Sequence, residues 1–219
     1  EIRLSLVGSE MCIRDRQMRE LICSGPVDDA LGPSDLHRKR IEYVRGYIEL
    51  VGARRVLDLG CGEGDLLLAL APMEQLERLI GMDVSQQRLG ICRAALASIT
   101  PVPATAVELV AGSYADARVA FPDIDVAIML ESLEHYCPRR LSRIEKTILA
   151  GYRPKRLLIS TPNKGYDIEK GLSIHHRRHA EHHFEWCQAR FRKWAQGVAR
   201  RTGYKVRLCL LYTSPSPRD

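Results

Sequence analysis

The sequence predicts an α/β domain with a Rossmann-like, mostly parallel sheet and helices on both faces. Three observations carry that expectation. Short apolar runs recur at Val56 to Leu59, Leu79 to Met82, Val107 to Val110, Val126 to Leu130 and Leu157 to Ser160. They are too short for helices and suit strands buried on both faces. Helical stretches, notably Gln87 to Ile99 and Arg139 to Tyr152, separate most of them, and such alternation implies parallel strands joined by right-handed crossovers. The glycine-rich turn Asp58-Leu-Gly60-Cys-Gly62-Glu-Gly64 follows the first run directly.

Taken in order, the first element is a helix over Leu36 to Val51, with apolar Ile41, Val44, Ile48 and Val51 on one stripe and Ser34 or Asp35 as its cap. After the first strand the glycines let the backbone turn sharply and present N–H groups at a helix N-terminus. A dinucleotide site would read G-x-G-x-x-G, but Asp65 stands where its third glycine belongs. The form present, D-x-G-x-G-x-G, resembles motif I of class I S-adenosylmethionine-dependent methyltransferases. Asp58, Gly60 and Gly62 are then cofactor-binding residues, and Asp83, at the end of the second strand, accepts from the ribose hydroxyls of an adenosine moiety. By the same resemblance, Ser113 of Gly112-Ser113-Tyr114 falls among the adenine contacts.

The fourth run leads into Glu131-Ser-Leu-Glu134-His135. On a helix these carboxylates and this imidazole, at i, i+3 and i+4, share a face and offer convergent ligands to a divalent metal. A fourth ligand is available from His175, His176, His179, His182 or His183.

With 219 residues the chain fits one domain with a substantial core. Its net charge of +6 is concentrated between His175 and Arg207, where nine Lys/Arg face only Glu181 and Glu185. A basic surface of that kind suits a polyanion such as nucleic acid. Seven cysteines without a Cys-x-x-Cys pair argue against a disulfide framework or a zinc ribbon. No apolar stretch approaches the ~20 residues that span a bilayer, and a cytoplasmic protein without a membrane partner is expected. Both ends, residues 1–16 and 209–219, resemble translated sequencing-adapter read-through. Residues 17–208 are therefore read as the methyltransferase domain, flanked by non-native or disordered tails and lacking the last antiparallel strand, with an exposed sheet edge after Lys205.

A narrower resemblance rests on ESLEHY at Glu131 to Tyr136, STPNKGYD at Ser160 to Asp167 and RHAEHHFEWCQARFRKWA at Arg178 to Ala195. Together with LHRKRIEYV ahead of the glycine loop, these segments resemble the HEN family, small-RNA 3'-terminal ribose 2'-O-methyltransferases. The resemblance implies Glu131, Glu134, His135 and His182 as metal ligands, with Mg²⁺ or Mn²⁺ as the ion. It also implies S-adenosylmethionine as methyl donor and His135 or His182 as proton relay. Departures from the family pattern are Lys39, Glu181 before His182, and Cys187-Gln188 after Trp186.

The implied substrate is the 3' end of a small RNA, methylated in the context of RNA-mediated gene silencing and delivered by an RNA-repair or Argonaute-type protein to a monomeric catalytic unit. Arg40 and Arg178 are the better RNA-contact candidates, since guanidinium forks match phosphate oxygens, with a structural ion pair as the other role open to either. Phe191, Trp194 and Val198 form a core stripe, and Phe184 and Trp186 are expected to pack rather than stack on a base. The alternatives are a class I methyltransferase acting on a small molecule or protein, and a non-catalytic nucleic-acid-binding protein of the same fold.

Overall fold

The computed structural model describes residues 2–7, 33–100, 105–116, 118–165, 173 and 177–212. Seven strands form one sheet in the order β4-β3-β2-β5-β6-β1-β7. The strands are β1 (Ile2–Val7), β2 (Arg55–Leu59), β3 (Arg78–Asp83), β4 (Val107–Ala111), β5 (Val126–Leu130), β6 (Arg156–Thr161) and β7 (Val206–Tyr212). The helices are α1 (Pro33–Leu50), α2 (Asp65–Leu70), α3 (Gln86–Ala97), α4 (Leu141–Glu145) and α5 (Gln188–Thr202). Each of the five apolar runs seen in the sequence is a strand, extended by at most a residue at either end.

Period-two alternation sorts the strand side chains into two cores. Leu57, Leu59, Ile80, Met82, Ala127, Met129, Leu157 and Ile159 face one side, where Ile144, Ile148, Phe191, Ala195 and Val198 cover them. Val56, Leu79, Val126, Ile128 and Leu158 face the other, beneath Val44, Tyr47 and Ile48 of α1 and Leu67 and Leu70 of α2. The predicted stripe of α5 is thus packed, and buried Phe184 and Trp186 join the first core as expected. Among the described residues no helix is long and apolar enough to cross a membrane.

Several expectations are corrected. Helix α1 begins at Pro33, so Ser34 and Asp35 lie inside its first turn rather than capping it. Arg139 to Tyr152 is not one helix: a 3-10 turn at Pro138–Arg140 leads into α4, which continues as a π-helix over Lys146–Tyr152. Residues 2–7, set aside as part of a disordered or non-native tail, form β1, hydrogen-bonded in parallel to β6 and to β7. Their sequence IRLSLV alternates apolar and polar residues, as a strand does. Strand β7 extends into the other segment set aside, up to Tyr212. All strand pairs among the described residues are parallel, and β7 ends the sheet order as an edge.

The strand order reverses between β2 and β5, since the chain runs outward through β3 and β4 on one side and through β6 on the other. Ligands of open α/β sheets bind beyond the strand C-termini at such a switch point. The glycine loop leaves β2 there, and the Glu131–His135 segment leaves β5.

Candidate active site

In the glycine loop Gly60, Gly62 and Gly64 adopt φ of 87°, 56° and 96°, the left-handed region that glycine enters without steric cost. The N–H groups of Gly60 and Cys61 donate to Met82 O at 2.8 and 3.0 Å, which folds the loop over the end of β3. Asp83 is tethered from both sides: Gly62 N–H donates to one carboxylate oxygen at 2.9 Å and Ser85 N–H to the other at 2.8 Å. Its remaining lone pairs can accept from a diol. Asp58 lies buried beneath the loop, where burial and then the charge of Asp83 push its carboxyl up to about 7. A Cβ on Gly62 would meet nothing within 4 Å, so the loop has open space on the side where a cofactor would lie. Ser113 Oγ shares a 2.6 Å hydrogen bond with Tyr136 Oη and accepts from Ala115 N–H, which ties the third-strand turn to the segment after β5.

The expectation that Glu131, Glu134 and His135 share one helix face does not hold. Only Leu133–His135 form a helical turn, of 3-10 type, and Glu131 precedes it with φ of 50°. Glu131 lies outside the cluster that Glu134, His135 and His182 form. One of its oxygens accepts from Ser160 Oγ at 2.7 Å and the other pairs with Arg40 at 2.9 Å. Arg40, buried at 5% exposure, is therefore an ion-pair member rather than a surface fork, the second of the roles left open for it. Arg178 is half-buried, its N–H bonded to Glu185.

Glu134, His135 and His182 do converge, with one potential ligand atom of each within 4.8 Å of the others. A backbone hydrogen bond of 2.8 Å from His183 N–H to Glu134 O joins the two segments. Glu134 is fully buried, and neither carboxylate oxygen makes a hydrogen bond of regular geometry. A buried orphan carboxylate beside two imidazoles is a costly arrangement in the absence of a cation, so these residues fit a divalent metal. Burial, then the nearby Glu131, holds the Glu134 carboxyl well above the usual range. Burial, then His182, holds the His135 imidazole below its ordinary value. His179 lies beside both rings, with centroid distances of 6.0 Å to His135 and 5.6 Å to His182. His175 and His176 fall outside the described residues.

The reading of the sequence missed Glu185, Lys164 and Ser132. Glu185 accepts from His182 Nδ1 at 2.7 Å. Burial tends to raise its carboxyl, but the His182 and Arg178 hydrogen bonds outweigh that and leave it below its usual range. The i, i+3 spacing of His182 and Glu185 was the available signal. Ser132 Oγ donates to Leu59 O at 3.1 Å, binding the Glu131–His135 segment to the end of β2 from which the glycine loop leaves.

Residues 56–155 match the family described as methyltransferase domain. The small RNA 2'-O-methyltransferase of Gallus gallus is 29% identical over 181 residues, covering 78% of this chain and 47% of that protein. The chain therefore spans about half the length of this curated relative. The solved methyltransferase domain of bacterial CtHen1 is 33% identical with a TM-score of 0.67, and the match covers 78% of this chain and 88% of that one. This chain belongs to the HEN family of small-RNA methyltransferases. The small RNA methyltransferase HEN1 is a further structural relative, with a TM-score of 0.68 and 26% identity over 81% of this chain and 23% of that one. The all-parallel order of β4-β3-β2-β5-β6 is thus the class I methyltransferase sheet. Within this HEN-family chain the ESLEHY and His-x-Phe-Glu-Trp segments are the two that meet through Glu134, His135 and His182.

Proposed function

We propose that this chain transfers a methyl group from S-adenosylmethionine to the 2'-hydroxyl of the 3'-terminal nucleotide of small RNA, with a divalent ion, Mg²⁺ or Mn²⁺, held by Glu134, His135 and His182. The observation that carries this reading is the fully buried Glu134 carboxylate, which makes no hydrogen bond of regular geometry among the described residues and faces two imidazoles beside the glycine loop. The named relatives support RNA as the substrate class. When bound, the donor supplies an electrophilic methyl on a sulfonium, and the ion supplies Lewis acidity at ribose oxygens, two of which carry free hydroxyls only on a terminal nucleotide.

The protein's own part is positioning. Asp58, Gly60, Gly62 and the tethered Asp83 hold the donor at the end of β2 and β3, with Ser113 at its adenine side, and make the transfer effectively unimolecular. The C–S bond breaks as the C–O bond forms, and the hydroxyl gives up one proton. That proton passes to solvent on the accessible side, where the exposed carboxylate of Glu181, 4.0 Å from His135 Nδ1, is the open acceptor beside the ring. His182 is enclosed and already bonded to Glu185. Glu131, which lies outside the three-residue cluster, contributes negative charge beside it, while Arg40 and Ser160 each take one lone pair of its carboxylate.

The test is incubation of the chain with a 3'-hydroxyl RNA oligonucleotide and radiolabelled methyl donor, with and without Mn²⁺. Label is expected on the terminal ribose only when metal is present, and not on an oligonucleotide with a 2'-deoxy terminus. Glu134→Ala and His182→Ala are expected to lose transfer by at least ~100-fold while keeping donor affinity in calorimetry. Full activity in either variant, or equal labelling of the 2'-deoxy end, would refute the proposal.

A further inference from the structure

His182 is enclosed, and its ring is held from behind by a small buried polar assembly that the proposed chemistry does not use. Glu185 Oε1 lies 2.7 Å from His182 Nδ1 and accepts from the Arg178 backbone N–H at 2.8 Å. Glu185 Oε2 faces Lys164 Nζ at 3.6 Å. The Glu185 side chain is only 2% exposed and that of Lys164 11%. The same two segments are joined by Lys164 N–H donating to Trp186 O, and Trp186 is buried against Phe184 and Trp194. The assembly is thus anchored to β6 on one side and to the first core on the other. Its residues come from the STPNKGYD and His-x-Phe-Glu-Trp segments.

We propose that Glu185, with Lys164 behind it, is a positioning residue that fixes the tautomer and orientation of His182, so that Nε2 presents its lone pair to the cluster with Glu134 and His135. The inference rests on the metal-binding reading above. A carboxylate paired with a lysine ammonium is an acceptor only. A neutral imidazole against it must therefore carry its proton on Nδ1, which leaves Nε2 free to ligate. The Arg178 N–H completes the first oxygen, and the Lys164 ammonium balances the charge that a buried carboxylate would otherwise carry alone. Metal-ligating histidines are commonly oriented by such a carboxylate, and loss of that partner weakens metal affinity by about 10–100-fold.

The decisive measurement is the ¹⁵N chemical-shift pair of the His182 ring in the metal-free full chain at pH 8, with manganese affinity measured separately by calorimetry. The wild-type ring is expected as the Nδ1–H tautomer. Glu185→Gln is expected to give a mixed tautomer and a Mn²⁺ affinity lower by about 10–100-fold, with donor affinity close to wild type and a lower melting temperature because the Lys164 ammonium loses its carboxylate. Lys164→Met is expected to shift both readouts the same way by a smaller factor. A wild-type Nε2–H tautomer overturns the proposal whether or not the variants fold. So does unchanged manganese affinity in a folded Glu185→Gln protein. Neither readout involves RNA: a chain that fails to methylate RNA leaves this inference standing, and a wrong tautomer leaves methylation standing.

Discussion

Asp58 shows how a single buried carboxyl carries information about both stability and the donor pocket. It is 3% exposed, and burial, followed by the charge of Asp83, raises it to about 7. The folded chain therefore binds this proton more tightly than the unfolded chain does. Stability from this group falls as pH rises from the ordinary carboxylate range to about 7 and is level above that. Urea melts at pH 5 and pH 8 are expected to show Asp58→Asn gaining on wild type between the two, by about 1.4 kcal/mol per pH unit of the window crossed; a pH-independent difference would contradict the assignment. At Arg40 the question is role. Its 2.9 Å pair with Glu131 is mostly buried, so Arg40→Ala strands a carboxylate and is expected to cost about 3 kcal/mol. An RNA-affinity loss with unchanged melting temperature would restore Arg40 as a substrate contact. Glu134, His135 and His182 were legible in the sequence because their residue types and motif spacing survive folding. The place of Glu131 was not, because a positive φ at a non-glycine residue leaves no trace in a helical pattern.

Among the elements, strands β2 to β6 were legible almost to the residue, because burial of most of their side chains favours short apolar runs, whereas β1 and the end of β7 lie in segments set aside for their likeness to adapter sequence. The 138–152 segment was not legible, since its 3-10, α and π turns differ by single hydrogen-bond registers while the apolar pattern Leu141, Ile144, Ile148 fits a regular helix. The strands also need fastening at their N-terminal ends, far from the site, and Asp125 does this for three of them. It accepts from Arg54 N–H at 3.0 Å, Arg55 N–H at 2.9 Å and Lys155 Nζ at 2.7 Å, joining the starts of β2, β5 and β6. Burial raises its carboxyl, but these donors outweigh that and bring it below its usual range. Its stabilising contribution is therefore present above the ordinary carboxylate range and lost as pH falls through the lowered value. Asp125→Ala leaves backbone N–H groups without an acceptor and is expected to cost about 2 kcal/mol in denaturant melts at pH 7, with donor affinity unchanged. A wild-type midpoint would show that the three donors find other partners.

At the scale of the whole molecule, the fold places two chemistries side by side by reversing strand order between β2 and β5. Strand β1 lies at the far side of this arrangement, between β6 and β7. Its likeness to adapter sequence is a matter of origin, whereas its period-two pattern is what a strand position accepts. Composition could show that a donor loop and a ligand segment exist, but not that they touch. Contact runs through Ser132, whose Oγ donates to Leu59 O and whose carbonyl accepts from Tyr114 Oη at 3.0 Å. A Cβ on Gly60 would lie 3.0 Å from Ser132 Cβ, while one on Gly62 would meet nothing within 4 Å. Both glycines have positive φ, so alanine at either strains the loop by about 1–2 kcal/mol and is expected to weaken donor binding. Only Gly60→Ala also pushes on Ser132, two residues from Glu134. Calorimetry with Mn²⁺ is therefore expected to show reduced affinity in Gly60→Ala and wild-type affinity in Gly62→Ala. Equal manganese affinities in the two variants would mean that the donor pocket and the ligand cluster are mechanically independent, with the Ser132 contact transmitting nothing between them.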